Sequence, residues 1–330
     1  MENIASNKSI SKSFIKKLLD INEDSTKEDV SLAEFSRWKV GGNAKCIFTP
    51  TSIDELIHVV KIASELNQPY IVIGSTSNLL FADEGLDILA INLGSQLSNV
   101  SFDKCNEVTV EAGAWVPGFA RTLSNNGLSG LEHTAGIPGT IGGLICMNGG
   151  SMRKGIGENV LSVTALTRDG LVKQYSQSEC SFAYRTSVFQ KNNEIILSAV
   201  LKLNTLPSKQ IKKQMLSILR SRRHKFPLKL PNCGSVFVSN PAMYEEFGPP
   251  GAVIEKCGLK GKQAGGAEIS PLHANFIVNK HGAKASDILT LVKLACESVK
   301  RETGYHMVSE VRFVTSFGGF IPAHEVHIND

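Results

Sequence analysis

Between His133 and Gly150 the chain reads HTAGIPGTIGGLICMNGG, and six of these residues are glycine. After His133 no side chain longer than Met intervenes, so the backbone must either approach something bulky or turn where a Cβ would clash. Glycine-rich turns leave N–H groups free to point at phosphate oxygens, and such a nest binds an anion with no Lys or Arg in it. A tight loop buried between strands would explain the same glycines. A second turn of this kind tips the balance toward a ligand. Upstream, Tyr70-Ile71-Val72-Ile73 reads as a buried strand and runs into Gly74, Ser75, Thr76, Ser77, Asn78 and Leu79. Strand, then glycine and small hydroxyls, is the composition of a phosphate cradle, although it matches neither the P-loop nor GxGxxG. Gly41 and Gly42 mark a third place where the backbone either runs close to a ligand or simply turns.

The elements that must position these turns follow from periodicity and capping. Residues 1–30 are polar with one helical patch, Phe14 to Leu19. Ser52 and Glu55 form a capping box for a helix from about Ile53 to Leu66. Strands are expected over Leu86–Leu93 and Glu107–Glu111, and Pro117 suits the first turn of a helix that ends near Asn126-Gly127. Asn159–Leu166 and Leu171–Tyr175 bracket an Arg-Asp-Gly turn, giving a hairpin, and Glu194–Leu203 is a strand closing the domain. Later, Ser286 is expected to cap a helix that stops at Gly304, and Glu310 falls on a final strand, Ser309–Val314. This is an α+β order without a regular βαβ repeat, which argues against a simple dinucleotide fold.

Composition bounds the class. A chain of 330 residues, 42% hydrophobic and 20% charged, is an ordinary globular protein with room for two or three domains. No stretch of eighteen apolar residues and no signal-peptide core is present, so a cytoplasmic location without a membrane partner is expected. The seven cysteines include no CxxC pair and no Cys/His spacing suited to zinc; they read as small buried hydrophobes, with no metal site. Lys209, Lys212, Lys213, Arg220, Arg222, Arg223, His224, Lys225 and Lys229 lie on and just beyond one helix that ends before Pro227. They form either a solvated face or a cationic rim for an anionic substrate, with the residues nearest Pro227 aimed inward. A net charge of only +4, no interleaved aromatics and no known binding motif speak against nucleic acid.

The segments VIGSTSNLL and AGIPGTIGGLICMNGG, followed in order by YRTSVF, NCGSVF, GLKGKQAGGAEIS, HANFIVN and SEVRF, resemble the UDP-N-acetylenolpyruvoylglucosamine reductase (MurB) family. Each motif alone is weak; the ordered set from about Trp38 to Phe313 is specific. The resemblance implies an N-terminal segment over 1–34, then an FAD-binding domain of the p-cresol methylhydroxylase / vanillyl-alcohol oxidase type over 35–204. A substrate-binding domain over 205–314 and a tail over 315–330 complete the chain. It implies non-covalent FAD, NADPH, a UDP-sugar substrate and a monomer. The family's FAD cradle falls on Gly41, Gly42, Gly74–Leu79, Gly136, Ile137, Pro138, Gly139, Thr140, Gly142, Gly143 and Asn148. Its catalytic arginine falls on Arg185, its proton-donating serine on Ser235 and its catalytic glutamate on Glu310. Substrate contacts fall on Tyr184, Arg222, Lys225 and Asn240. The spacing of about fifty residues from Arg185 to Ser235 resembles the shorter branch, which lacks an inserted tyrosine-bearing loop.

In the reaction so implied, hydride added to the terminal carbon of a vinyl ether pushes charge onto the neighbouring carboxylate. A fixed guanidinium, Arg185, offers paired donors to that carboxylate. Glu310 assists only if desolvation keeps it protonated. Ser235 protonates the α-carbon and needs a neighbouring cation, for which Lys225 is the candidate. The sequence departs from the family at Met147–Lys154, where a tyrosine-glycine pair is usual, and at Val238-Ser239-Asn240-Pro241, where Lys or Gln is common. A paralogue acting on a different sugar nucleotide, or an oxidase of the same superfamily acting on an alcohol, is the alternative.

Overall fold

The computed structural model describes residues 8–103 and 105–327; positions 1–7 of the N-terminal segment and 328–330 of the tail lie outside the described residues. The apolar run Tyr70–Ile73 is a parallel strand beside Leu86–Asn92, which in turn lies parallel to Asn43–Phe48. Both faces are covered, as continuous β-branched runs require. Helix Ile53–Glu65 buries Leu56, Val59, Val60 and Ala63, and Ser52 Oγ accepts the Glu55 N–H at 3.1 Å, as expected from the capping pattern. Helix Lys12–Ile21 forms at the N-terminal patch and buries Phe14, Ile15 and Leu18. The strand that follows, Thr26–Ser31, was not signalled by its polar sequence, TKEDVS; it is an edge strand that pairs antiparallel with Asn43–Phe48 and leaves three consecutive residues exposed. The N-terminal segment is therefore part of the first sheet.

The second sheet has five antiparallel strands, in the order Val172–Ser176, Val160–Leu166, Ile195–Lys202, Glu107–Glu111, Val100–Phe102. The expected hairpin closes through Gly170 at φ +81°, a conformation that costs glycine little. Arg168 next to it reaches back to the first sheet, its guanidinium 4.2 Å above the Tyr70 ring and donating to Tyr70 O at 3.2 Å. One apolar core runs continuously through both sheets.

The C-terminal lobe packs helix Ala285–Thr303 on a three-stranded sheet, Gln263–Ala264, Ala267–Ile269 and Ile277–Asn279. Gly304, left-handed at φ +77°, ends the helix as expected. At the other end Lys284, not Ser286, is the N-cap, because two carboxylates occupy the free N–H groups. Asp287 accepts from Lys284 N–H at 2.9 Å, and Asp83 of the first lobe accepts from Ala285 and Ser286 N–H at 2.7 and 3.0 Å. Such a cap contributes about 1 kcal/mol, and its charge complements the positive end of the helix.

Trp38 binds the lobes a second way. It is fully buried in the C-terminal core together with Val40 and Leu80; its Nε1–H donates to Ile277 O at 2.7 Å, and Asn279 Nδ2 donates to Trp38 O at 2.9 Å. A third link is a small sheet in which Leu79–Phe81 runs parallel to Arg312–Val314, itself antiparallel to Phe320–Pro322. Glu310 thus sits just before the final pair of strands rather than on one, and the start of the tail is built into this sheet.

Candidate active site

Where the two lobes meet, a cavity of about 370 Å³ opens between walls that the sequence had marked as glycine-rich. Gly74, Ser75, Thr76, Ser77, Asn78 and Leu79 form one wall; Ile137, Pro138, Gly139, Thr140, Gly142 and Gly143 form the next. They touch: a Cβ on Gly74 would lie 2.5 Å from Thr140 Oγ1. That hydroxyl is the N-cap of helix Ile141–Cys146, accepting from Gly143 N–H at 3.4 Å.

Arg185, Ser235 and Glu310, drawn from three distant parts of the chain, line the same cavity. The residues before Glu310 pair with those after Ser235: Val238 N–H donates to Val308 O at 3.0 Å, and Glu310 N–H donates to Val236 O at 2.8 Å. Asn275 clamps the same segment, its side chain accepting from Phe237 N–H and donating to Phe237 O, both at 2.9 Å. Asn78, on the first glycine wall, donates to Glu310 O at 2.9 Å. The backbone on both sides of the carboxyl is therefore fixed.

Arg185 Nε lies 3.0 Å from Glu310 Oε1, within ion-pair distance, yet its N–H is not directed at that oxygen and has no hydrogen-bond acceptor. Burial pushes the Glu310 carboxyl above its ordinary range, and this outweighs the opposing pull of Arg185. Arg185 is itself in the left-handed region at φ +55°. Gln190 stabilises that conformation by donating to Arg185 O at 3.0 Å and to Cys146 O at 2.9 Å, while accepting from Arg312 Nη2. Arg185 Nη1 donates to Gly150 O at 3.4 Å.

Arg222 is the member of the basic helix that turns inward. It lines the cavity, lies 4.9 Å above the Phe226 ring, and its buried Nε has no partner. These features fit a diphosphate-bearing flavin: two small-residue walls with no acidic side chain on them, and a buried guanidinium with a free donor.

Several expected positions lie elsewhere. Gly41 and Gly42 are off the cavity. A Cβ on Gly41 would sit 2.8 Å from Phe81 Cβ, and one on Gly42 2.3 Å from Asp83 O, so their smallness serves packing. Gly136 seats Arg222, whose Cδ would lie 2.4 Å from a Cβ there. Asn148 is a staple, accepting from Gly157 N–H and donating to Ala183 O, both at 2.9 Å, and so holds the turn that carries Arg185. Tyr184 is 65% exposed and does not line the cavity. Asn240 caps helix Pro241–Glu246, accepting from Ala242 N–H at 3.0 Å. Lys225 is exposed and off the wall, so the cations that share the cavity with Ser235 are arginines, Arg185, Arg222 and Arg312 among them. His273 is structural: Nδ1 accepts from Asn275 N–H at 3.2 Å, and the ring packs edge-on against Phe226 and Phe276.

Sequence reasoning did not single out Gln190, Asn275, Asn279 or Arg312. The signal was present in that Arg312, Asn275 and Asn279 fall inside segments already noted, and Gln190 immediately follows one.

Comparison with known proteins agrees with this arrangement. Residues 44–176 match the model of an FAD binding domain, and residues 226–314 match that of the UDP-N-acetylenolpyruvoylglucosamine reductase C-terminal domain. UDP-N-acetylenolpyruvoylglucosamine reductase 1 of Corynebacterium glutamicum is 42% identical over 298 residues, covering 90% of this chain and 89% of its own. The reductase of Lactobacillus acidophilus is 42% identical over 288 residues, covering 87% and 94%. The crystal structure of UDP-N-acetylenolpyruvylglucosamine reductase (MurB) from Thermus caldophilus superposes with a TM-score of 0.73 at 31% identity, covering 86% of this chain and 97% of that one. With an α+β fold, an FAD-binding domain and the characteristic C-terminal domain, the chain belongs to the UDP-N-acetylenolpyruvoylglucosamine reductase (MurB) family.

Proposed function

We propose that the chain reduces the enolpyruvyl group of UDP-N-acetylglucosamine enolpyruvate to UDP-N-acetylmuramate, a step of peptidoglycan precursor synthesis, and acts as a monomer. The observation that supports this most is that Arg185, Ser235 and Glu310, from three distant parts of the chain, line one cavity together with the two glycine-rich walls. Residues 74–79 and 137–143 would hold FAD non-covalently, and the flavin, reduced by NADPH, would supply a hydride for the terminal vinyl carbon.

The chain's own groups meet the resulting charge. As hydride arrives, the π pair moves through the adjacent carbon onto the substrate carboxylate. Arg185, rigid at its left-handed backbone, presents donors to that carboxylate, including an Nε–H that has no acceptor in the protein. Glu310, whose hold on its proton is raised by burial, donates a hydrogen bond to the same charge when it is protonated. Ser235 gives its proton to the α-carbon, and cavity arginines stabilise the alkoxide until solvent returns the proton. A group of this kind contributes on the order of 3 to 4 kcal/mol of transition-state stabilisation. Arg222 is the cation for a substrate or cofactor phosphate.

The test is optical. Purified protein should be yellow, NADPH should bleach it without oxygen, and the enolpyruvyl sugar nucleotide should restore the colour. Colour restored by oxygen alone, with reduction by an alcohol and indifference to NADPH, would assign the chain to oxidase chemistry instead.

A further inference from the structure

The outer face of the basic helix is not used by the site just described. Between Glu194 and Glu245 the chain has no acidic residue, yet it holds nine of the 35 Lys and Arg there, leaving 26 cations against 31 acids in the rest. Eight of these nine lie on helix Ser208–Lys225 and the loop after it; the ninth, Lys202, ends strand Ile195–Lys202 and pairs with Glu107.

Within that helix the residues sort cleanly. Ile211 and Met215 are buried, and Arg222 lines the cavity. At about 100° per residue, Lys209, Lys212, Lys213, Leu219, Arg220 and Arg223 all fall within about 60° of Leu216 on the opposite side. Every one of these seven is exposed. None of the five cations is paired with a carboxylate among the described residues, and Leu216 and Leu219 stand 52% and 38% exposed between them. The face is about 20 Å long at 1.5 Å per residue. Leu228 and Leu230, 54% and 40% exposed on either side of Lys229, follow in the next loop.

From this pattern we infer that the face docks on an anionic lipid surface, with the leucines entering the headgroup layer and the cations on lipid phosphates. A solvated face needs no leucines at its centre. Nucleic acid would favour stacking aromatics, and the face has none. An acidic protein would need carboxylates spaced to match, whereas a fluid anionic surface supplies charge at any spacing and apolar depth beneath it. No described helix is long and apolar enough to cross a membrane, so the contact is interfacial. It departs from the expectation of no membrane partner, which rested on the lack of an apolar span. It does not depend on the proposed reaction.

The test uses the full chain with its flavin and vesicles that contain phosphatidylglycerol, compared with vesicles of phosphatidylcholine alone. The protein should sediment with the first and not with the second, and salt raised from about 0.05 to 0.5 M should release it. Leu216→Gln with Leu219→Gln should weaken binding about tenfold, and Lys212→Glu with Arg220→Glu at least as much, both with flavin content and reductase rate unchanged. Absence of sedimentation with anionic vesicles would overturn the inference. So would equal binding by the leucine variant, or competition by RNA or polyglutamate that the leucine change leaves untouched, which would assign the face to a soluble polyanion.

Discussion

Arg185 and Glu310 lie far apart in the chain, yet Arg185 Nε stands 3.0 Å from Glu310 Oε1 without aiming its N–H at it. The pair is close enough to share charge. Burial wins over the guanidinium in setting the carboxyl, whose affinity for its proton is raised.

A pH dependence follows from that sign. If protonated Glu310 is the working form, reoxidation of reduced enzyme by substrate is fastest at low pH. It falls as pH rises through a value above the ordinary glutamate range. Glu310→Gln keeps a donor that does not titrate, so its profile should lose this limb. Stopped-flow reoxidation at a series of pH values reads both, and an unchanged limb in the variant would place the titration on another group.

Gln190 should matter through Arg185 rather than by touching substrate. Gln190→Leu removes the bonds to Arg185 O and Cys146 O, freeing a left-handed arginine to relax. Misplacement on the scale of 1 Å costs about 10²-fold in rate. The substrate half-reaction should slow by about that much with KM and NADPH bleaching little changed, and the Glu310 limb should move to higher pH as the guanidinium withdraws. Gln190→Glu keeps an acceptor for Arg312 and loses both donated bonds, so it should be as slow as Leu. A Glu variant as fast as the unaltered protein would show that the Arg312 contact, not the hold on Arg185, is what counts.

Gly74 tests the contact between the two glycine walls. An alanine Cβ would meet Thr140 Oγ1 at 2.5 Å, and the cap of helix Ile141–Cys146 must move to admit it. Gly74→Ala should weaken FAD retention about tenfold, ~1.4 kcal/mol, measured by flavin fluorescence on dilution. Unchanged retention with a normal melting temperature would show that the wall yields there without disturbing the cofactor.

These predictions also mark what was legible in the sequence. The walls at residues 74–79 and 137–143 were readable because two such runs of small residues, one following a buried strand, favour a close approach to a ligand over a plain turn. What approaches was not, so Gly41 and Gly42, pressed on Phe81 and Asp83, looked the same as Gly74. Arg185, Ser235 and Glu310 stood out only in company, as members of an ordered set of segments. Local periodicity gave the hairpin around Gly170 and the helix caps at Ser52 and Gly304. It could not give the Trp38 hydrogen bond to Ile277, the Asp83 cap on Ala285, or the Gln190 hold on Arg185, because each depends on a partner set by packing rather than by neighbouring residues. Strand Thr26–Ser31 was missed since an edge strand with one half-buried face carries too few apolar residues to show a period.

The central claim is that Ser235 delivers the proton in a cavity whose other groups stabilise charge, and Ser235→Ala tests it most directly. Without oxygen, NADPH should bleach the variant's flavin at the unaltered rate, whereas the enolpyruvyl sugar nucleotide should restore its colour at least about 10²-fold more slowly. Two fast half-reactions in the variant would contradict the assignment of that proton to Ser235.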